Sequence, residues 1–172
     1  MIAVLVGAGA VFALLGHVGL WLAAYHPIVR GRRQGRWDPT PTPPAMHAFP
    51  DNAIGAAPGS AYLYAGYVLR PDQVLVVEGS VDLDATYASL TLYDLYLQGV
   101  PGRTHLNDVD LGRVWRVIVA HEDRGFPLFL DASRRPRGVI AFRHAPRASV
   151  VPPRLQVLDL EEAAVRYGNG SG

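Results

Sequence analysis

The chain has no cysteine and no lysine among its 172 residues. Without cysteine there is no disulfide framework, no thiolate metal site and no Cys nucleophile. Without lysine there is no Schiff-base chemistry and no P-loop; all 16 basic side chains are arginine. Charge is scarce as well, at 18% against roughly a quarter in an average soluble chain. The net charge of +1 supplies no global field that would recruit nucleic acid, so no nucleic-acid partner is expected. What is abundant is apolar: hydrophobic residues reach 49%. That excludes a disordered or acidic tail protein and fits one domain, or a smaller domain with an appendage.

The apolar excess is concentrated at the start. Met1 to Tyr25 carries no charged side chain, and His17 is its only titratable member before Tyr25. A helix of ~24 residues reaches ~36 Å, enough to cross a hydrocarbon core of ~30 Å with some tilt. Trp21 and Tyr25 fall at its C-terminal end, at the level amphipathic rings favour. A cleaved signal peptide would need a basic segment before Ile2, a shorter apolar run and a better cleavage site than Leu22-Ala23-Ala24. A retained transmembrane helix over residues 1–25 is therefore expected. Gly9 and Gly16 recur seven residues apart, with Ala13 on the same seam and His17 beside it. Such a stripe suits close approach by a transmembrane helix of another subunit, where His17 would find a polar partner.

Arg30, Arg32, Arg33 and Arg36 come directly after the helix, with no acid before Asp38. They are candidates for lipid headgroups, and by the positive-inside rule they place the remainder of the chain in the cytoplasm. The prolines between Pro39 and Pro58 forbid a continuous helix or central strand. Thr40-Pro41-Thr42-Pro43-Pro44 reads as an extended polyproline II spacer. Residues 26–58 are thus an Arg-rich flank and Pro-rich linker.

Past Gly59 the periodicity becomes that of strands. The runs 62–69, 73–78, 87–93, 114–120, 127–130, 138–143 and 155–158 are rich in β-branched and aromatic residues and separated by turn residues. Arg70-Pro71-Asp72 is one such turn. Asp159 to Tyr167 reads as a helix, with Asp159 as N-cap, Glu161 and Glu162 in the first turn and Gly168 as the stop. The fold class is mainly β: an antiparallel β-sandwich or jelly-roll-like domain over 59–168, with one N-terminal transmembrane helix and a short C-terminal helix. Residues 169–172 form a flexible tail.

The stretch Glu78 to Asp94 combines a small-residue turn, Gly79-Ser80, with the strand pattern Tyr87-x-Ser89-x-x-x-Tyr93-Asp94. It resembles the signature of the bacterial domain-of-unknown-function 1214/1254 group. Asn107-Asp108, the strand Val139 to Arg143, Pro146 and Pro152-Pro153 come next, in an order similar to that group's C-terminal domain. The resemblance implies a β-rich domain associated with the cell envelope and carries no established reaction. It draws the domain towards the outside of the membrane, against the arginine rule.

Several clusters could carry chemistry. His121, Glu122 and Asp123 come after a strand and are candidates for a general base with a carboxylate partner. The same residues suit a solvated loop, the commoner meaning where no nucleophile motif accompanies them. His105, Asp108 and Asp110 offer donors to a cation, with His121 and His144 as distant additions. Their spacing matches neither a zinc helix motif nor an EF-hand, so no metal is expected. Arg134, Arg135 and Arg137 suit an oxyanion or a charged turn. Ser89, Thr91 and Tyr93 share one strand face, so with Asp94 they are candidate ligand-binding residues, lining a cavity between sheets or facing solvent. No cofactor is expected. The leading expectation is a membrane-anchored accessory or scaffolding subunit; the alternative is a cell-envelope enzyme or small-ligand binder using the 1214-like domain.

Overall fold

The computed structural model describes residues 45–48, 59–94, 98–146 and 150–168, together with Leu15 and Gly16. Two β-sheets pack face to face. The first, sheet A, has the order β1-β2-β8-β4-β5, from β1 (His47–Ala48), β2 (Ala61–Val68), β8 (Arg137–Ala145), β4 (Tyr87–Tyr93) and β5 (His105–Asn107). The second, sheet B, has the order β7-β6-β3-β9, from β7 (Phe129–Asp131), β6 (Val114–Ala120), β3 (Gln73–Ser80) and β9 (Arg154–Asp159). A short helix α1 (Asp108–Leu111) follows β5, and α2 (Leu160–Tyr167) follows β9.

Alternation along each strand builds the core. Leu63, Ala65 and Tyr67 of β2, Ala88, Leu90 and Leu92 of β4, and Ile140 and Phe142 of β8 point into the sandwich. They meet Leu75 and Val77 of β3 and Trp115, Val117 and Val119 of β6. Trp115 and Phe142 bridge the sheets with ring centroids 5.5 Å apart; truncating a ring buried like Phe142 costs about 3–5 kcal/mol. On the other side of sheet B, Val74, Val76, Ile118 and Leu158 are covered by Leu160 and Ala163 of α2.

The chain changes sheet at most connections. Arg70-Pro71-Asp72 is a turn, closed by a bond from the Gln73 amide to the Arg70 carbonyl, yet it carries the chain from sheet A to sheet B. The antiparallel expectation is corrected at one pair: β6 and β7 run parallel. The loop between them brings the chain back before β7 begins, so the two strands cannot form a hairpin. The C-terminal helix forms as expected, with Asp159 extended at the N-cap position but making no side-chain cap bond. The Asp72 carbonyl instead accepts the Leu160 amide at 2.8 Å, satisfying one of the donors a helix start leaves unpaired. Glu162 and Arg166 pair one turn apart at 2.7 Å.

β1 lies inside the stretch read as linker, paired with Leu63 and Tyr64 on the edge of β2. No described helix is long and apolar enough to cross a membrane. The expected span over 1–25 lies outside the described residues except for Leu15 and Gly16, which are helical. Gly9, Ala13, His17, Arg30, Arg32, Arg33 and Arg36 also lie outside them, as do the proline spacer and the tail 169–172. At Gly16 an added Cβ would meet nothing within 4 Å.

Candidate functional site

Ser89, Thr91 and Tyr93 do share a face, as their alternation requires, and that face is the outer side of sheet A rather than the inter-sheet core. Across the strands they stand in rows set by register. Ser89 is opposite Arg143 on one side and Asn107 on the other, and Arg143 is opposite Tyr62. Thr91 is opposite Ala141 and His105, and Ala141 is opposite Tyr64. Thr91 Oγ1 and His105 Nδ1 lie 2.7 Å apart.

Arg143 is the centre of this surface. Its guanidinium carbon lies 5.1 Å from the Tyr62 ring centroid and 4.7 Å from that of Tyr87, so two rings from flanking strands hold it. Among the described residues no carboxylate pairs with it and its buried Nε–H meets no acceptor. A buried donor left unmet costs about 1–3 kcal/mol. Beside it, Tyr64, Val139 and Tyr93 form a small apolar cluster on the same outer face. Ser89 is only 4% exposed. Asp94 lies past the end of β4, where its Oδ1 accepts the Gln98 amide at 2.9 Å.

The other sequence candidates are engaged in the fold. His121 Nε2 is 3.1 Å from the Leu69 carbonyl, which can only accept, so that nitrogen carries the proton. Glu122 pairs with Arg124 at 3.2 Å. Asp123 Oδ1 accepts the amides of Gly125 and Phe126, both at 3.0 Å, and so shapes the loop. None of these bonds joins His121 to a carboxylate. His144 is buried near the opposite end of the sandwich, opposite Ala61, with Nδ1 donating to the Pro146 carbonyl at 3.0 Å. The structure therefore separates His121 from His144, since Ala61 and Leu69 flank the two ends of β2.

Asn107 and Asp110 bond reciprocally, each side chain accepting the other's amide, at 3.0 and 3.2 Å. Among the described residues no three His, Asp or Glu side chains gather where they could hold a metal ion. Arg134 and Arg135 are exposed on the turn before β8, and Arg137, also exposed, is its first residue. The Arg135 carbonyl accepts the Tyr67 hydroxyl at 3.2 Å, and burial pushes that phenol well above its ordinary value.

A second feature lies on the outer side of sheet B, beyond the part covered by α2. A groove of 560 Å³ is lined there by Glu78, Ser80, Val114, Trp115, Val151 and Arg154, among others. Arg154, Glu78 and Arg116 form one cross-strand row. Glu78 Oε1 accepts Arg116 Nε at 2.6 Å, and the Arg116 guanidinium lies 4.2 Å over the Tyr167 ring.

Sequence reasoning missed Arg143 and the groove. The signal for Arg143 was its outward parity on a strand flanked by tyrosine-bearing strands, legible only once the pairing is known.

No family model and no curated protein matches the chain. Among solved structures it resembles an uncharacterized protein from Burkholderia cenocepacia, with a TM-score of 0.63 and 21% identity over 69% of this chain and 36% of that one. A protein from Vibrio parahaemolyticus matches with a TM-score of 0.43 and 14% identity over 76% of this chain and 34% of that one. The chain thus spans about a third of the length of these solved chains. The first likeness is one of fold alone.

Proposed function

We propose that this chain is a membrane-anchored accessory or scaffolding subunit that presents a β-sandwich beside a membrane protein complex. In this reading residues 1–25 form a retained transmembrane helix, Arg30, Arg32, Arg33 and Arg36 contact lipid headgroups, and the Pro-rich linker spaces the sandwich from the bilayer. Gly9, Ala13, Gly16 and His17 face a transmembrane helix of another subunit. The single observation that supports a binding role best is Arg143, held between Tyr62 and Tyr87 without a carboxylate among the described residues. Tyrosine and arginine dominate the energetic centres of protein interfaces, and a guanidinium fixed by rings loses little freedom on binding. The partner chemistry that fits is a carboxylate on a neighbouring subunit. The general-base candidates supply no support for an enzyme, because His121, Glu122 and Asp123 each hold a bond within the fold.

The test is recovery from membranes in mild detergent. The intact chain is expected to bring down a stoichiometric partner, and Arg143→Ala to weaken that association by about 2 kcal/mol, roughly thirtyfold. Equal recovery by the variant, with unchanged melting, overturns the role of this face.

The groove on sheet B favours a second reading, small-ligand binding by a domain that resembles the 1214/1254 group.

A further inference from the structure

The outer side of sheet B is divided. Apolar residues of β3, β6 and β9 lie under α2 at one end, and at the other end the 560 Å³ groove is open. Its size falls within the roughly 300–1,000 Å³ of small-molecule sites. Its walls differ in chemistry. Val114 and Val151 are 85% and 60% exposed, an unusual degree for two large apolar side chains bordering the same hollow, and Pro152 continues that wall. Next to Val114 on the same face runs the Arg154–Glu78–Arg116 row. Within it Arg116 neutralises Glu78 and is stacked on Tyr167, so neither charge is available without breaking a 2.6 Å bond. Arg154 is different. It stands across from Glu78 but makes no ion pair among the described residues, leaving one positive charge in excess at the groove. Trp115 also borders the groove, with its indole turned inward against Phe142.

We propose that this groove binds a small amphipathic organic carboxylate, with the carboxylate on Arg154 and the hydrocarbon against Val114, Val151 and Pro152. A guanidinium fork accepts a carboxylate bidentately, which fixes its orientation. Covering the exposed valines removes apolar area from water at roughly 25 cal/mol per Å². A neutral ligand of the same shape forgoes the Arg154 contact, and an inorganic anion forgoes the apolar wall. The proposal rests on the second reading above and is separate from association through Arg143.

The probe is hexanoate, added to the full chain in an uncharged detergent and carrying Trp21→Phe and Trp37→Phe, so that Trp115 alone emits. Hexanoate is expected to change the emission saturably, or to receive saturation from the protein at its methyl protons in an NMR transfer experiment. Arg154→Gln is expected to weaken binding about tenfold or more, and Val151→Asp similarly. Arg134→Gln removes the same charge at the opposite end of the sandwich and should leave binding unchanged. Hexan-1-ol and inorganic phosphate are each expected to bind at least tenfold more weakly. No saturable response by either readout overturns the site, as does equal binding by a normally melting Arg154→Gln chain. Phosphate or hexan-1-ol binding as well as hexanoate overturns the ligand class. None of these results bears on recovery of a protein partner, which is read separately.

Discussion

Trp115 packs against Gly79, its cross-strand partner on β3, so closely that a Cβ at position 79 would overlap the indole carbons Cζ2 and Cε2. The indole is pinned between that glycine and Phe142 of the opposite sheet, so it cannot retreat without disturbing the core. Gly79→Ala is expected to destabilise the sandwich by about 1–3 kcal/mol, the usual cost of overpacking. A denaturant titration checks this: the midpoint should fall with the slope unchanged.

Tyr67 predicts alkaline behaviour. Its hydroxyl donates to the Arg135 carbonyl inside the sandwich, and burial, opposed in part by the Arg135 charge, raises its pKa above the ordinary value of 10.0. The folded state therefore keeps the proton where the unfolded chain has lost it. Its contribution is complete below pH 10 and is lost as pH rises, at up to about 1.4 kcal/mol per pH unit. Tyr67→Phe should cost about 1 kcal/mol at neutral pH through the lost hydrogen bond and flatten the decline above pH 10. Melting curves of both chains across the alkaline range decide it.

Asp123 and His121 are expected to behave as structural residues. Asp123→Ala leaves the Gly125 and Phe126 amides without their acceptor and should lower stability by about 1–2 kcal/mol. His121→Ala, which frees the Leu69 carbonyl, should cost about 1 kcal/mol. Both are read by thermal melting, and hexanoate binding should be the same in both variants, since neither residue lines the groove.

Anchoring is tested in membranes. Carbonate washing should leave the chain in the membrane fraction, and deletion of residues 1–25 should release it. Recovery of a chain beginning near Tyr25 contradicts a retained helix. Protease added to intact cells decides sidedness: protection of the sandwich agrees with the arginine rule, and cleavage agrees with the resemblance to envelope domains. Leu at both Gly9 and Gly16 should dissociate the partner without reducing insertion, because bulk on that seam blocks close helix approach.

The strands at 87–93 and 114–120 were legible to the residue because each has one wholly apolar face along its length and is rich in strand-forming side chains. β5 was not: His105-Leu106-Asn107 offers one buried residue between two polar ones, too short for a period. β1 was hidden by the prolines around it. The turn at 70–72 was legible, but its chemistry is the same whether it closes a hairpin or crosses between sheets. Pairing is set by the whole core, not by the turn. For the same reason the shared face of Ser89, Thr91 and Tyr93 could be read from alternation alone, whereas Arg143 and its tyrosines converge only through the β2–β8–β4 register.

The most direct measurement is stoichiometric recovery from detergent-solubilised membranes of three chains side by side: the parent, Arg143→Ala and Arg134→Ala. An accessory subunit that binds through the outer face of sheet A should bring down the same partner with the parent and Arg134→Ala, and lose most of it with Arg143→Ala. A chain recovered alone in all three cases, or with its partner undiminished in Arg143→Ala, contradicts that role.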